Sequence, residues 1–344
     1  MSAPLSAAQV VASELSIAPA RVAAVEALLG DGATIPFIAR YRKEQTGEMD
    51  EVVLRAVHDA LARFAALDAR RTAVLKSLAE RDLLTDDLRQ QIATAPTLAE
   101  LEDVYLPYRP KRVTRATKAR ERGLEPLAAL LLRDPDARPA EVAAASVDPE
   151  RGVNTVDDAL AGARDIIAEV IAEDRQTRSE LRDCFGRQSV IASARSRRQK
   201  DNPRADVYRD YFAWSEPASR VRSHRVLAML RGEREGFLVV HVAPPADAAL
   251  AIVRRRWVGG RAERGLQMEL AAADSYERLL LPSLETERKN ELAAAAADAA
   301  AGVFAANLRD LLLAPPLGAK RVLAVDPGFR TGCKVVCLDE HGGL

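Results

Sequence analysis

LEDVYLPYRPKRVTRATKARERG, residues Leu101–Gly123, reads as a helix, a rigid connector and a second helix. Thr97 and Glu100 have the spacing of a capping box, so the first helix is expected to start at Thr97. Pro107 cannot continue it. In the connector PYRPKRV the prolines fix φ and leave Arg109, Lys111 and Arg112 as polar tips. The second helix is expected to begin near Thr114. On it Arg115, Lys118 and Arg122 fall at i, i+3 and i+7, which is one face. Seven basic residues lie between Arg109 and Arg122 against one acid, Glu121. Such a surface faces phosphate if it has a partner, and is an ordinary solvated face if it does not.

Helical signals continue on both sides. Upstream, Pro19 reads as a first helical residue, and Val22, Val25, Leu28 and Leu29 give a face that ends at Gly30. In IPFIARYRKE, residues Ile35, Phe37 and Ile38 are expected in a core. Arg40, Arg42 and Lys43 flank Tyr41 there, a basic–aromatic mixture that can touch phosphate and base. The alternative is a surface loop whose arginines pair with Glu44 and Glu48. Asp50 can cap a helix through Val53, Val57, Leu61 and Phe64, with a further helix through Val74 to Leu78 and another from Thr85.

Downstream, a helix is expected from Glu125 to Leu132, and two more with Thr155 and Ser223 as their caps. Phe237–Val242 reads as a strand. The aromatics Tyr208, Tyr211, Phe212 and Trp214 stack on bases or fill a domain core, and the run Arg254–Arg256 reads as a solvated face. The longest helix is expected from Ser283 to about Leu313, a spine whose alanines let other helices approach closely.

Composition agrees with a helical protein. Of 344 residues, 48% are hydrophobic but only 4% aromatic, so alanine and leucine carry the apolar content. Lysines and arginines number 50 and acids 50, so nucleic-acid attraction must come from local patches. Three scattered cysteines make no disulfide framework, which suits a reducing cytoplasm. No uninterrupted apolar stretch reaches membrane-spanning length.

LEDVYLPYRPKR, IPFIARYRKEQTGEMDE (Ile35–Glu51) and VDPGFRTG (Val325–Gly332) together resemble the bacterial Tex family of transcription accessory proteins. The likeness extends over nearly the whole chain. It implies a mainly α, elongated multi-helical scaffold with a long central helix, followed by the first β-hairpin of an RNase H-like (YqgF-type) α/β domain. The divisions expected are 1–190, an N-terminal helical domain that can include a helix-turn-helix-like unit; 191–318, a central helical region with the spine helix 283–313; and 319–344, the start of the RNase H-like domain. Family members continue through helix-hairpin-helix elements and an S1-type OB-fold, so a truncated chain is expected.

The resemblance implies a cytoplasmic, non-enzymatic RNA-binding protein with no cofactor and no membrane association. Its partners would be RNA or single-stranded nucleic acid, with RNA polymerase or the ribosome as docking targets. The residues expected to hold phosphates are Arg40, Arg42, Lys43, Arg109, Lys111, Arg112, Arg115 and Lys118. Two other readings stand beside this one: a protein-interaction scaffold, and a metal-dependent nuclease. The nuclease rests on Asp326 at the end of the apolar run RVLAVD, which reads as a buried strand, and two-metal cleavage needs more carboxylates than that. Cys333 and Cys337 share a strand face and are expected as small core residues. The four histidines have no zinc spacing.

Overall fold

The computed structural model describes residues 6–110, 113–199, 202–314, 318–328 and 332–344. They form a mainly α protein with two small antiparallel sheets. The chain divides into two compact units, Met1–Asp183 with Asp247–Leu281, and Cys184–Ala246 with Pro282–Leu344.

The first unit begins with α1 (Ala7–Leu15), α2 (Pro19–Gly30), α3 (Ile35–Tyr41), α4 (Lys43–Thr46) and α5 (Glu51–Ala79). Asp50 caps α5 by accepting from the Val53 amide at 2.8 Å. The sequence suggests two helices here. There is one of 29 residues, because neither glycine nor proline interrupts it. Its two halves serve different cores. Leu54, Val57 and Ala60 join Val11, Val22, Val25 and Ile38. Leu67, Val74 and Leu78 join residues of α6 (Asp86–Thr94) and α7 (Leu98–Tyr105), including Leu88, Ile92, Leu101 and Tyr105.

After α7 come α8 (Arg115–Glu121), α9 (Glu125–Arg133), α10 (Pro139–Ala144), α11 (Val156–Glu173) and α12 (Arg175–Gln188). Thr155 caps α11 in a full capping box. The buried face of α11 carries Ala159, Ala163, Ile166, Ile167 and Ile171, and it packs against α8, α9, α10 and α15 (Ala262–Asp274). Close approach there needs Gly162, since a Cβ at that position would lie 2.3 Å from Leu124 Cδ1. Arg264 of α15 is buried and satisfies the carbonyl end of α9, donating to Leu131 O at 2.9 Å and also to Gly259 O at 2.6 Å. Burial pushes its guanidinium below the ordinary value, with Asp134 opposing.

The second unit holds the sheet β2–β1–β3, formed by β1 (Val190–Arg195), β2 (Ala213–Pro217) and β3 (Leu238–Ala243), all antiparallel. Helix α13 (Ser223–Arg234) covers it, with Ile191, Tyr208, Met229, Leu238, Val240 and Val242 in the core. Ser223 is the first residue of α13 and not its cap, which is Arg222 without a side-chain bond. The aromatics near residue 210 belong to this core: Tyr208 is buried, with Tyr211, Phe212 and Trp214 packed against it. The outer edge of β3 is closed by side chains. Val240 N–H donates to Glu233, Val242 N–H donates to Glu285 at 2.9 Å, and Lys289 donates to the Val240 carbonyl.

The expected helix start at Ser283 is not a start. The chain is helical from Ala262 to Leu313, passing from α15 through a π-helical segment, Ser275–Leu280, into α16 (Leu281–Leu313). Pro282 lacks an N–H, and its ring crowds the carbonyl four residues back. The wider π turn relieves that crowding, and Leu281 N–H reaches back to Tyr276 O. The alanine run makes this helix, by length and composition, apolar enough to cross a membrane, although Asp298 interrupts it. Its alanines are not a packed seam: only Leu284 and Ala296 of α16 are buried.

β4 (Val322–Pro327) and β5 (Cys333–Leu338) form the expected hairpin. Neither strand is buried, and Cys333 and Cys337 are exposed where core positions are expected. Part of the DPGFRTG turn lies outside the described residues.

Candidate nucleic-acid interface

The Leu101–Gly123 stretch acts first as a structural hub. Thr97 caps α7 by accepting from the Glu100 amide at 3.2 Å. Glu100 does not complete the capping box; its carboxylate takes Arg175 of α12 at 3.0 Å. Glu102 accepts from Arg70 of α5 through both its oxygens, at 2.5 and 3.2 Å. Asp103, only 3% exposed, accepts from Arg178 at 2.6 Å and from Arg182 at 2.5 and 2.8 Å. Tyr105 shares a hydrogen bond with Ser77 at 3.0 Å, and Arg81 donates to Tyr108 O at 2.6 Å. One helix is therefore tied to α5 on one side and α12 on the other. A short 3-10 turn, Leu106–Tyr108, absorbs Pro107 and delivers Arg109 to the surface.

Helix α8 starts where expected, and Thr114 caps it by accepting from the Thr117 amide at 3.0 Å. Arg120 turns inward, to Glu169 of α11 at 2.5 Å and Glu125 at 3.5 Å. Burial, the largest single influence, pulls its guanidinium down, but the hydrogen bond and charge of Glu169 together with the charges of Glu125 and Glu173 hold it above the ordinary value. Arg115, Lys118 and Arg122 stay exposed. Among the described residues Arg109, Arg115 and Lys118 make no ion pair. Lys111 and Arg112 lie outside the described residues.

The other candidate group sits on α3 and α4. Thr34 caps α3, and Ile38 and Ala39 face the core. That phase places Phe37 and Tyr41 outward, one turn apart, with ring centroids 5.3 Å apart. Phe37 is thus 39% exposed and not the core residue the sequence suggests. Arg42 leaves helical geometry at φ −130°. Its guanidinium folds back over Phe37, 5.1 Å from the ring centroid, and donates to Tyr41 O at 3.0 Å. Thr46 and Met49 anchor the segment beneath. Gly47, at φ +69°, ends α4, and Arg21 of α2 lies across it so closely that a Cβ would meet its Nε at 2.5 Å. Arg40, Arg42 and Lys43 are exposed, and among the described residues none of them pairs with Glu44 or Glu48.

Other basic runs behave differently. On α14 (Ala246–Trp257), Arg254 binds Glu269 at 2.6 Å, Arg255 binds Glu180 at 2.6 Å and Arg256 binds Asp174 at 2.8 Å. In the second unit Arg195 covers Phe212 and Arg225 covers Trp214, at 4.7 and 4.6 Å from the ring centroids. Asp326 is exposed opposite Lys334 in the hairpin. Among the described residues no three histidines, cysteines or acids lie together as a metal site.

Residues 5–79 match the family model of the Tex-like protein N-terminal domain, and residues 134–304 match that of the Tex central region. Over 96% of its length the chain is 40% identical to "Protein tex" of Bordetella pertussis. The chain belongs to the Tex family. It is also 39% identical, over 98% of its length, to "Transcriptional accessory protein Tex" of Neisseria gonorrhoeae. The human "S1 RNA-binding domain-containing protein 1" is 30% identical over 96% of the chain. The chain spans less than half of each relative: 43%, 45% and 34% of their lengths. The Tex N-terminal match ends with α5 and contains the α3–α4 group, while the hub helix α7 lies between the two matched regions.

Proposed function

We propose that this chain is the scaffold portion of a non-enzymatic, cytoplasmic transcription accessory protein that binds RNA through phosphate contacts. The observation that carries the reading is a set of exposed cations that make no ion pair among the described residues: Arg40, Arg42 and Lys43 on one surface, Arg109, Arg115 and Lys118 on another. Lys111 and Arg112 are assigned to the second surface from the sequence. The described cations of both surfaces differ in this from Arg254, Arg255 and Arg256, each of which meets a carboxylate. Unpaired cations give sequence-independent affinity and fix register on a backbone. The relatives' names support the reading, one as a transcriptional accessory protein and one as an RNA-binding protein.

The test is binding of the chain to labelled single-stranded RNA at about 50 and 200 mM salt. Three phosphate contacts on a single strand predict a loss of roughly 20-fold between the two. Charge reversal at Arg109, Lys111 and Arg112 should weaken the complex further. No binding at low salt would refute the reading.

A second reading, a protein-docking scaffold for RNA polymerase or the ribosome, is favoured by the end of α16. There Val303, Phe304, Leu308, Leu311, Leu312 and Leu313 are all exposed. An apolar stripe of that kind suits a protein partner better than a polyanion. Retained RNA binding after charge reversal, with loss of a polymerase or ribosome complex on Leu308→Glu, would favour it.

A further inference from the structure

The α3–α4 surface carries more than charge. Tyr41 is 66% exposed, and its hydroxyl has no hydrogen-bond partner among the described residues. An aromatic ring left in water forgoes burial worth on the order of 2 kcal/mol, and the neighbouring Ile38 shows that a buried position was one residue-turn away. The ring is also held in place. Phe37 packs beside it at 5.3 Å with the planes inclined at 46°, and Arg42 covers Phe37. Arg42 donates to the Tyr41 carbonyl, which fixes the backbone under the ring. Arg40, Arg42 and Lys43 flank Tyr41 in the chain and are exposed, and Arg21 of α2 lies over Gly47 at the end of α4.

Cations beside an uncovered aromatic ring match one ligand class better than others. A duplex presents phosphates but keeps its bases stacked within, so Tyr41 would have nothing to stack on. A single strand offers both a polyanionic backbone and free base faces. We infer that α3 and α4 form a base-stacking platform for single-stranded nucleic acid, with Tyr41 taking a base and Arg21, Arg40, Arg42 and Lys43 tracking the phosphates. This rests on the nucleic-acid reading above and adds to it base stacking on Tyr41 and a phosphate contact from Arg21. Stacking on a phenol ring does not use the ribose 2′-hydroxyl, so RNA and DNA single strands are both ligands of this surface.

The experiment uses the full chain with fluorescent oligo(rU), oligo(dT) and a duplex of matched length at about 50 mM salt. Tyr41→Ala should weaken both single strands by about 5- to 150-fold, the range spanned by one base–aromatic stack, and leave duplex binding unchanged. Tyr41→Phe should bind as the parent does. A Tyr41→Trp variant adds a readout independent of affinity, since a stacked base quenches the new indole. Unchanged single-strand binding in Tyr41→Ala, with binding lost in Arg40→Glu/Arg42→Glu/Lys43→Glu, would overturn the platform and leave phosphate binding standing. If neither variant weakens binding, both the platform and the phosphate reading of this surface fall. Tyr41 is exposed, so its removal should leave the thermal midpoint unchanged.

Discussion

Arg40–Lys43 and Arg254–Arg256 look alike as strings of positive charge, yet they have opposite environments. Each arginine on α14 meets a carboxylate contributed by α12, its cap or α15: Glu180, Asp174 and Glu269. The cations on α3 and α4 meet none among the described residues, and one of them lies on an aromatic ring instead. Paired cations have already exchanged water for a carboxylate and attract a polyanion weakly, because its phosphates see a near-neutral surface. Unpaired ones keep their full charge for a ligand. Within one protein, then, a basic run is informative only once its acids are located.

The paired extreme is Asp103, and breaking it should have the largest effect. Asp103→Ala removes the carboxylate shared by buried Arg178 and half-buried Arg182, which costs about 3–5 kcal/mol and should appear as a lowered urea midpoint. Charge reversal of Arg40, Arg42 and Lys43 comes next. It should weaken single-stranded RNA at least tenfold, about 1.4 kcal/mol, and flatten the log–log salt slope by roughly 2 units. The stability of an alanine triple at the same positions should change by no more than about 0.5 kcal/mol. Alanine at Arg254, Arg255 and Arg256 should change RNA affinity less than about twofold, and a larger loss would erase the distinction.

The distinction can also be reversed. Glu180→Gln with Glu269→Gln unmasks two arginines of α14, and RNA affinity at low salt should rise by about 2- to 5-fold. The smallest effect concerns pH. Hydrogen bonds from Gln176 and Arg255 hold the Glu180 carboxyl below its ordinary value. A depressed acid contributes stability above its unfolded value and loses it as pH falls through the folded one. The gap in denaturation midpoint between the parent and Glu180→Gln should therefore be open at neutral pH and close under acid conditions.

Local physics was legible in the sequence. Thr97, Thr155 and Asp50 cap the helices expected of them, the helix expected near Thr114 starts there, and Pro19 opens α2, whereas Ser223 does not cap α13. What could not be read were pairings between residues far apart in the chain. Asp103 and Arg178 are 75 residues apart, and Arg256 and Asp174 are 82 apart, with no periodicity linking them. Strands β1 and β2 leave little signal in the sequence for a related reason. They are short, VIASAR and AWSEP, and each is stable only against the other and β3. Phe37 reads as inward because it is large and apolar, but the phase of α3 is set by Ile38 and Ala39. The site residues were legible as types; their lack of partners, which gives them meaning, was not.

The three contacts along the outer side of β3 have a consequence for how this protein fails. An exposed strand edge is a template for another chain, and here Glu233, Glu285 and Lys289 occupy its donors and acceptors. Two of those three residues come from the first turns of α16. If the helix melts locally beyond its π-helical segment, the seam along β3 opens while the sheet itself survives. Self-association would then begin from a nearly native molecule, well before global unfolding.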